Sequence, residues 1–136
     1  MENISKHISY KEATRSFTAI RQAIDNTPNE IELAAMKLVA NELFEPLRVW
    51  YNKPININSF YRSEKLNKAV GGASKSQHKK GEAIDISAGS KEENKKLFDY
   101  IKKNLKYDQV ISEYDYKWIH ISYKTEGNRQ QTLAIK

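Results

Sequence analysis

The chain has 136 residues, with 23 Lys and Arg against 17 Asp and Glu for a formal net charge of +6, 29% charged residues and no cysteine. That length suits a single domain over residues 1–136 with a real core, and the missing cysteine excludes disulfides and thiolate metal sites, so any metal must rest on histidine and carboxylate. No stretch nears the roughly 20 apolar residues of a membrane span and the first residues hold no apolar leader core, which argues against membrane insertion and against a signal peptide.

Ser9-Tyr10-Lys11-Glu12 has the form of a capping box, and Ala13, Phe17, Ile20 and Ile24 follow at helical spacing, predicting a first helix over Tyr10 to Ile24. Thr27-Pro28-Asn29-Glu30 repeats the start signal. Leu33, Met36, Ala40, Leu43, Leu47 and Trp50 then recur at steps of three and four, which predicts the main core helix, bent near Pro46 where an N–H is missing. After Pro54, Ile55 and Ile57 alternate with Asn56 and Asn58 as in a short strand that delivers Ser59, Tyr61 and Arg62 to its end. Ser63 caps a short helix through Val70, and Gly71-Gly72 stops it before a loop carrying His78. Ala83 to Ser87 reads as a strand with Ile84 and Ile86 on one side and Asp85 on the other. Ser90-Lys91-Glu92-Glu93 is a further capping box, followed by the stripe Leu97, Phe98, Ile101, Leu105. Two strands close the pattern: Gln109, Ile111 and Glu113 share one face of the first, and in the second Trp118, His120 and Ser122 oppose Ile119 and Ile121. Thr132 to Ile135 reads as a last strand. The expected fold is α+β, a small antiparallel sheet with helices packed on one face, so that Asp85, Glu113 and His120 look out of the other.

Two imidazoles and one carboxylate, His78, His120 and Asp85, are the set that holds a catalytic zinc while leaving a position for water. Gly81 lets the loop after His78 turn tightly, and the small Ala83 leaves room beside the strand. Taken singly, His78 reads as an exposed loop histidine, Asp85 as a solvated acid and His120 as a satisfied sheet-edge histidine; the conjunction favours ligands. Glu113 is the nearest upstream acid on a regular strand and so the candidate general base, with Asp115, in a tyrosine-flanked turn, as the competitor. Arg62, at a strand end, is placed to grip a substrate carboxylate or a developing oxyanion, and Tyr61 and Trp118 are candidate walls of a substrate cleft. His7 has no partner motif and receives no metal role.

Ser76, His78, Gly81, Ala83 and Asp85 resemble, without mismatch, the Ser-x-His-x-x-Gly-x-Ala-x-Asp motif of the zinc peptidases of the M15 family, in the Hedgehog/D-Ala-D-Ala peptidase fold group. Trp118 and His120 match its Trp-x-His signature, and Tyr61, Arg62 and Asn67 its Tyr-Arg element. The N-terminal part resembles the subgroup found in phages and their bacterial relatives. The resemblance implies His78, Asp85 and His120 as zinc ligands, Arg62 as a substrate or oxyanion contact, and hydrolysis of a peptide bond in the peptidoglycan stem by a carboxypeptidase or endopeptidase; Ser76 is a further candidate substrate contact. The acid stands further before the final histidine than the family usually places it, Glu113 by seven residues and Asp115 by five. Phe60 replaces a residue that is commonly small and is expected to reshape the cleft.

The leading expectation is therefore a monomeric Zn2+ peptidase cleaving the peptidoglycan stem peptide, an endolysin or a tail-associated wall-degrading enzyme. It would be made in the cytoplasm and act on the wall after release or from a virion, its positive charge suiting an acidic wall. The alternative is a non-catalytic relative serving as a binding or structural module of a virion or secretion apparatus. Nucleic-acid binding finds little support, because the lysines are spread along the chain and no basic helix or recognised motif appears.

Overall fold

The computed structural model describes residues 3–136. Six helices, α1 (Tyr10–Thr14), α2 (Phe17–Arg21), α3 (Glu30–Val39), α4 (Glu45–Tyr51), α5 (Glu64–Ala69) and α6 (Lys91–Asn104), accompany five strands, β1 (Asn56–Ser59), β2 (Ala83–Ser87), β3 (Gln109–Glu113), β4 (Trp118–Ser122) and β5 (Gln131–Ile135). The fold is α+β, as expected. The strands form one sheet in the order β1-β2-β4-β3-β5, antiparallel except that β5 runs parallel to β3. The sheet is thus mixed rather than purely antiparallel, because β5 returns along the outer edge of β3 after the long connection from β4.

Ile84, Ile86, Val110, Ile119 and Ile121 point to one face, where they pack with Met36, Val39, Leu43, Leu47, Leu97 and Ile101 in one buried cluster. α6 lies over β3 and β4, and α3 over β2. The other face is left to Asp85, His120, Ile111 and Glu113, since strand side chains alternate.

Four local readings are corrected. The expected helix Tyr10–Ile24 is two short ones, because the Ala13 carbonyl accepts from Tyr61 N at 3.0 Å and the Thr14 carbonyl from Asn26 Nδ2 at 2.9 Å. Those carbonyls would otherwise continue the helix. Ser16 then restarts it by accepting from Ala19 N, leaving Phe17 and Ile20 exposed rather than in a core stripe. The next helix starts at Asn29, whose side chain and that of Glu32 make a reciprocal capping box; Thr27 instead bonds Asp25. The bend expected at Pro46 is a π-helical segment, Ala40–Phe44, between α3 and α4, in which one extra residue accommodates the missing N–H and the ring. Trp50, read as core, is half-exposed and stacks on Tyr100 with centroids 4.1 Å apart.

Candidate metal centre

His78 comes from a 3-10 turn, Gln77–Lys80, whose start Ser76 caps by accepting from His78 N at 3.2 Å. The turn ends at Gly81, with φ of 74°, where a side chain would strike the Glu32 carbonyl of α3. Asp85 and His120 are direct partners across β2 and β4, and Ile111 and Leu133 continue the same row onto β3 and β5. The sheet register thus brings together two residues 35 positions apart.

His78 Nε2 lies 3.2 Å from Asp85 Oδ2, and His120 Nδ1 lies 2.9 Å from Asp85 Oδ1. One donor atom from each of the three side chains falls within 4.8 Å of the others. The His78 ring is turned by Nδ1, which donates to the Phe60 carbonyl at 2.7 Å, so its Nε2 is left as the lone-pair nitrogen facing Asp85. That nitrogen is buried and has no hydrogen-bond partner. An orphaned lone pair beside a carboxylate and a second imidazole is what a cation-binding set requires, so these residues fit a divalent metal with nitrogen and oxygen preference. Burial alone would raise the Asp85 carboxyl, but the His78 and His120 imidazoles beside it outweigh that effect and hold the acid well below the usual carboxylate range.

A cleft of about 460 Å³ opens over the three residues and is also lined by Arg62, Gln109, Glu113 and Trp118. Arg62 is held by Ser59 Oγ at 3.1 Å and Asn67 Oδ1 at 3.0 Å, and its Nη2 reaches 3.4 Å from Asp85 Oδ2. Glu113 Oε2 accepts from the Trp118 indole at 3.1 Å and stands 3.9 Å from His120 Nδ1. No described residue bonds its Oε1. Asp115 lies outside the cleft, in a turn where Tyr114, Asp115 and Tyr116 all have positive φ, and its exposed carboxylate pairs with Lys91 at 2.7 Å.

A family description, Peptidase M15, matches residues 6–122. The chain belongs to the Peptidase M15 family. No curated protein matches it. This M15 domain therefore has a peptidase-like function, and of the residues that the sequence motifs singled out, Ser76, His78, Asp85, Trp118 and His120 line one cleft within the matched span.

Other expected site residues sit differently. Tyr61 is buried and donates to Glu32 Oε1 at 3.0 Å, away from the cleft over His78, Asp85 and His120. The Phe60 side chain is in the core, so this residue meets the site through its carbonyl rather than as a wall. Ser76 lines the cleft but its hydroxyl is engaged with the backbone of His78. His7 pairs with Glu45 at 2.6 Å and does not line the cleft. Sequence reasoning missed Gln77, Asp108 and Arg129, which meet only in three dimensions: Arg129 clasps buried Asp108 in a two-pronged pair, and Gln77 donates to the same carboxylate. No spacing pattern in the chain marks that triad.

Proposed function

We propose that this M15 domain is a zinc-dependent peptidase that hydrolyses bonds of the peptidoglycan stem peptide, as an endolysin or a tail-associated wall-degrading enzyme. The observation that carries the reading is the unpartnered, buried His78 Nε2 converging with Asp85 and His120 on an open cleft that also holds a non-ligand carboxylate. His78, Asp85 and His120 would hold the ion. Bound Zn2+ supplies Lewis acidity for the scissile carbonyl and lowers the pKa of water toward neutrality.

The chain's own groups do the rest. Glu113 is the base: Trp118 fixes one of its oxygens, and the other is left to accept the proton of the attacking water and return it to the departing amine. Arg62 is immobilised by Ser59 and Asn67, so its guanidinium is ready to hold the carboxylate or the developing oxyanion of the substrate without first being ordered. Trp118 offers its ring as a wall for the peptide. The net charge of +6 favours approach to an anionic wall.

The test is a digest of purified peptidoglycan with fragments identified by mass. New amino termini within stem peptides are expected, abolished by chelator and restored by zinc. Cleavage confined to glycan strands, or activity untouched by chelation, would overturn the proposal.

A further inference from the structure

The cleft holds a second guanidinium to which the hydrolytic reading assigns no task. Arg129 lies in the segment between β4 and β5, beyond the family-matched residues 6–122, and lines the cleft beside Gln77 and Gln109. Its Nε and Nη2 donate to Asp108 at 2.9 and 2.7 Å, and its backbone N–H donates to the same carboxylate at 3.0 Å. Asp108 is fully buried and also accepts from Gln77 Nε2 at 3.0 Å, with Lys124 Nζ 3.9 Å away. The guanidinium is therefore clamped along one edge. No described residue takes its Nη1, and the side chain remains 49% exposed.

A clamped arginine at a cleft wall loses little freedom when it binds a ligand, and its planar donors suit a carboxylate. Asp108 offsets one positive charge, but Lys124 stands beside the pair, and Arg62 and Lys75 line the same cleft. The position is also defined. Asp108, which holds the guanidinium, precedes Gln109 and is three residues from Ile111, which stands opposite His120, so the Arg129 end of the cleft lies roughly 7–10 Å along the strand from the row of Asp85 and His120. An extended peptide advances about 3.3 Å per residue, hence the distance corresponds to about two to three residues of substrate.

We propose that Arg129 binds a free carboxylate of the substrate about two to three residues from the bond that is broken, so that the cleft selects stem peptides with ionised carboxylates over amidated ones. The proposal rests on the peptidase reading for its substrate class. A role confined to bracing β5 through Asp108 would lower stability but leave the choice between acid and amide untouched.

The experiment uses the full chain, loaded with zinc, and synthetic stem pentapeptides in which the α-carboxylate of the second residue, or the free carboxylate of a third-residue diaminopimelate, is either ionised or amidated. These two arms distinguish the source of the carboxylate. For at least one pair, wild type should favour the acid by about tenfold or more in kcat/KM, mainly through KM. Arg129→Met should collapse that ratio toward one, and Arg129→Lys should restore part of it, with circular dichroism and zinc content showing both variants folded. Calorimetric binding of the same pairs by wild type in the presence of chelator gives a readout without turnover. Acid-selective binding without any cleavage would keep the subsite and sink the peptidase reading. Cleavage with no acid preference, or a preference that survives Arg129→Met, would overturn the subsite, as would the absence of both binding and cleavage.

Discussion

Gly81 bears two separate burdens, and replacing it by alanine measures both. Its φ of 74° puts the backbone in the left-handed region, and an added Cβ would lie 2.5 Å from the Glu32 carbonyl and 2.8 Å from Met36 Cγ. The left-handed conformation costs an L-residue about 1–2 kcal/mol, and forcing a methyl into a filled site about 1–3 kcal/mol more. Gly71 is the internal control: its φ is 75°, but nothing lies within 4 Å of the added Cβ. For a two-state domain of this size about 3.5 °C of melting temperature corresponds to each kcal/mol. Gly71→Ala should therefore melt about 4–7 °C below wild type and Gly81→Ala about 7–18 °C below. Melting followed by circular dichroism in chelator keeps metal out of the comparison. Because the obstructing carbonyl is in the backbone of α3, the 3-10 turn carrying His78 must yield, and zinc affinity measured by chelator competition should fall in Gly81→Ala alone. Equal melting temperatures for the two variants would show that the clash is relieved at no cost, and would refute the reasoning.

Glu113→Gln should keep fold and zinc content yet lose about a hundredfold or more in turnover on stem peptide, whereas Asp115→Asn, which breaks only an exposed pair with Lys91, should turn over as wild type does; the reverse pattern would identify Asp115 as the base. Acid stability should report Asp108: its hydrogen bonds from Arg129, opposed by burial, lower the carboxyl from an ordinary 3.8 to about 2. A depressed folded-state pKa stabilises above the unfolded value, so the contribution is present at pH 4 and above and is lost as pH falls toward 2. Asp108→Asn should cost roughly 1–2 kcal/mol near neutral pH and flatten urea-unfolding stability between pH 4 and pH 2, after allowance for the half-exposed guanidinium. Asp85 titrates in the same direction, and the difference between wild type and Asp108→Asn separates the two.

The strands and the clustering of His78, Asp85 and His120 were legible because they rest on patterns that tertiary structure has little power to overrule. Ile84 and Ile86 alternate with Asp85, and Ile119 and Ile121 with His120, so once the isoleucines are buried both polar groups must emerge on the opposite face. Helix boundaries were less legible. Nothing local reveals that Tyr61 N and Asn26 will take the Ala13 and Thr14 carbonyls, and that competition is what divides the first helix. The Arg129, Asp108 and Gln77 cluster was illegible for the same reason, since its members come from three separate segments. The direction of β5 was hidden too, because periodicity assigns a strand to a face but not to an orientation.

β5 has one further consequence. Its outer edge faces no other strand among the described residues, all five of its residues are exposed, and Leu133 and Ile135 lie open on it. A short parallel strand with unpaired N–H and C=O groups is a template for any extended chain that meets it. An open edge of this kind is where a second extended chain would pair with the sheet, and between copies of this protein the net charge of +6 works against that pairing.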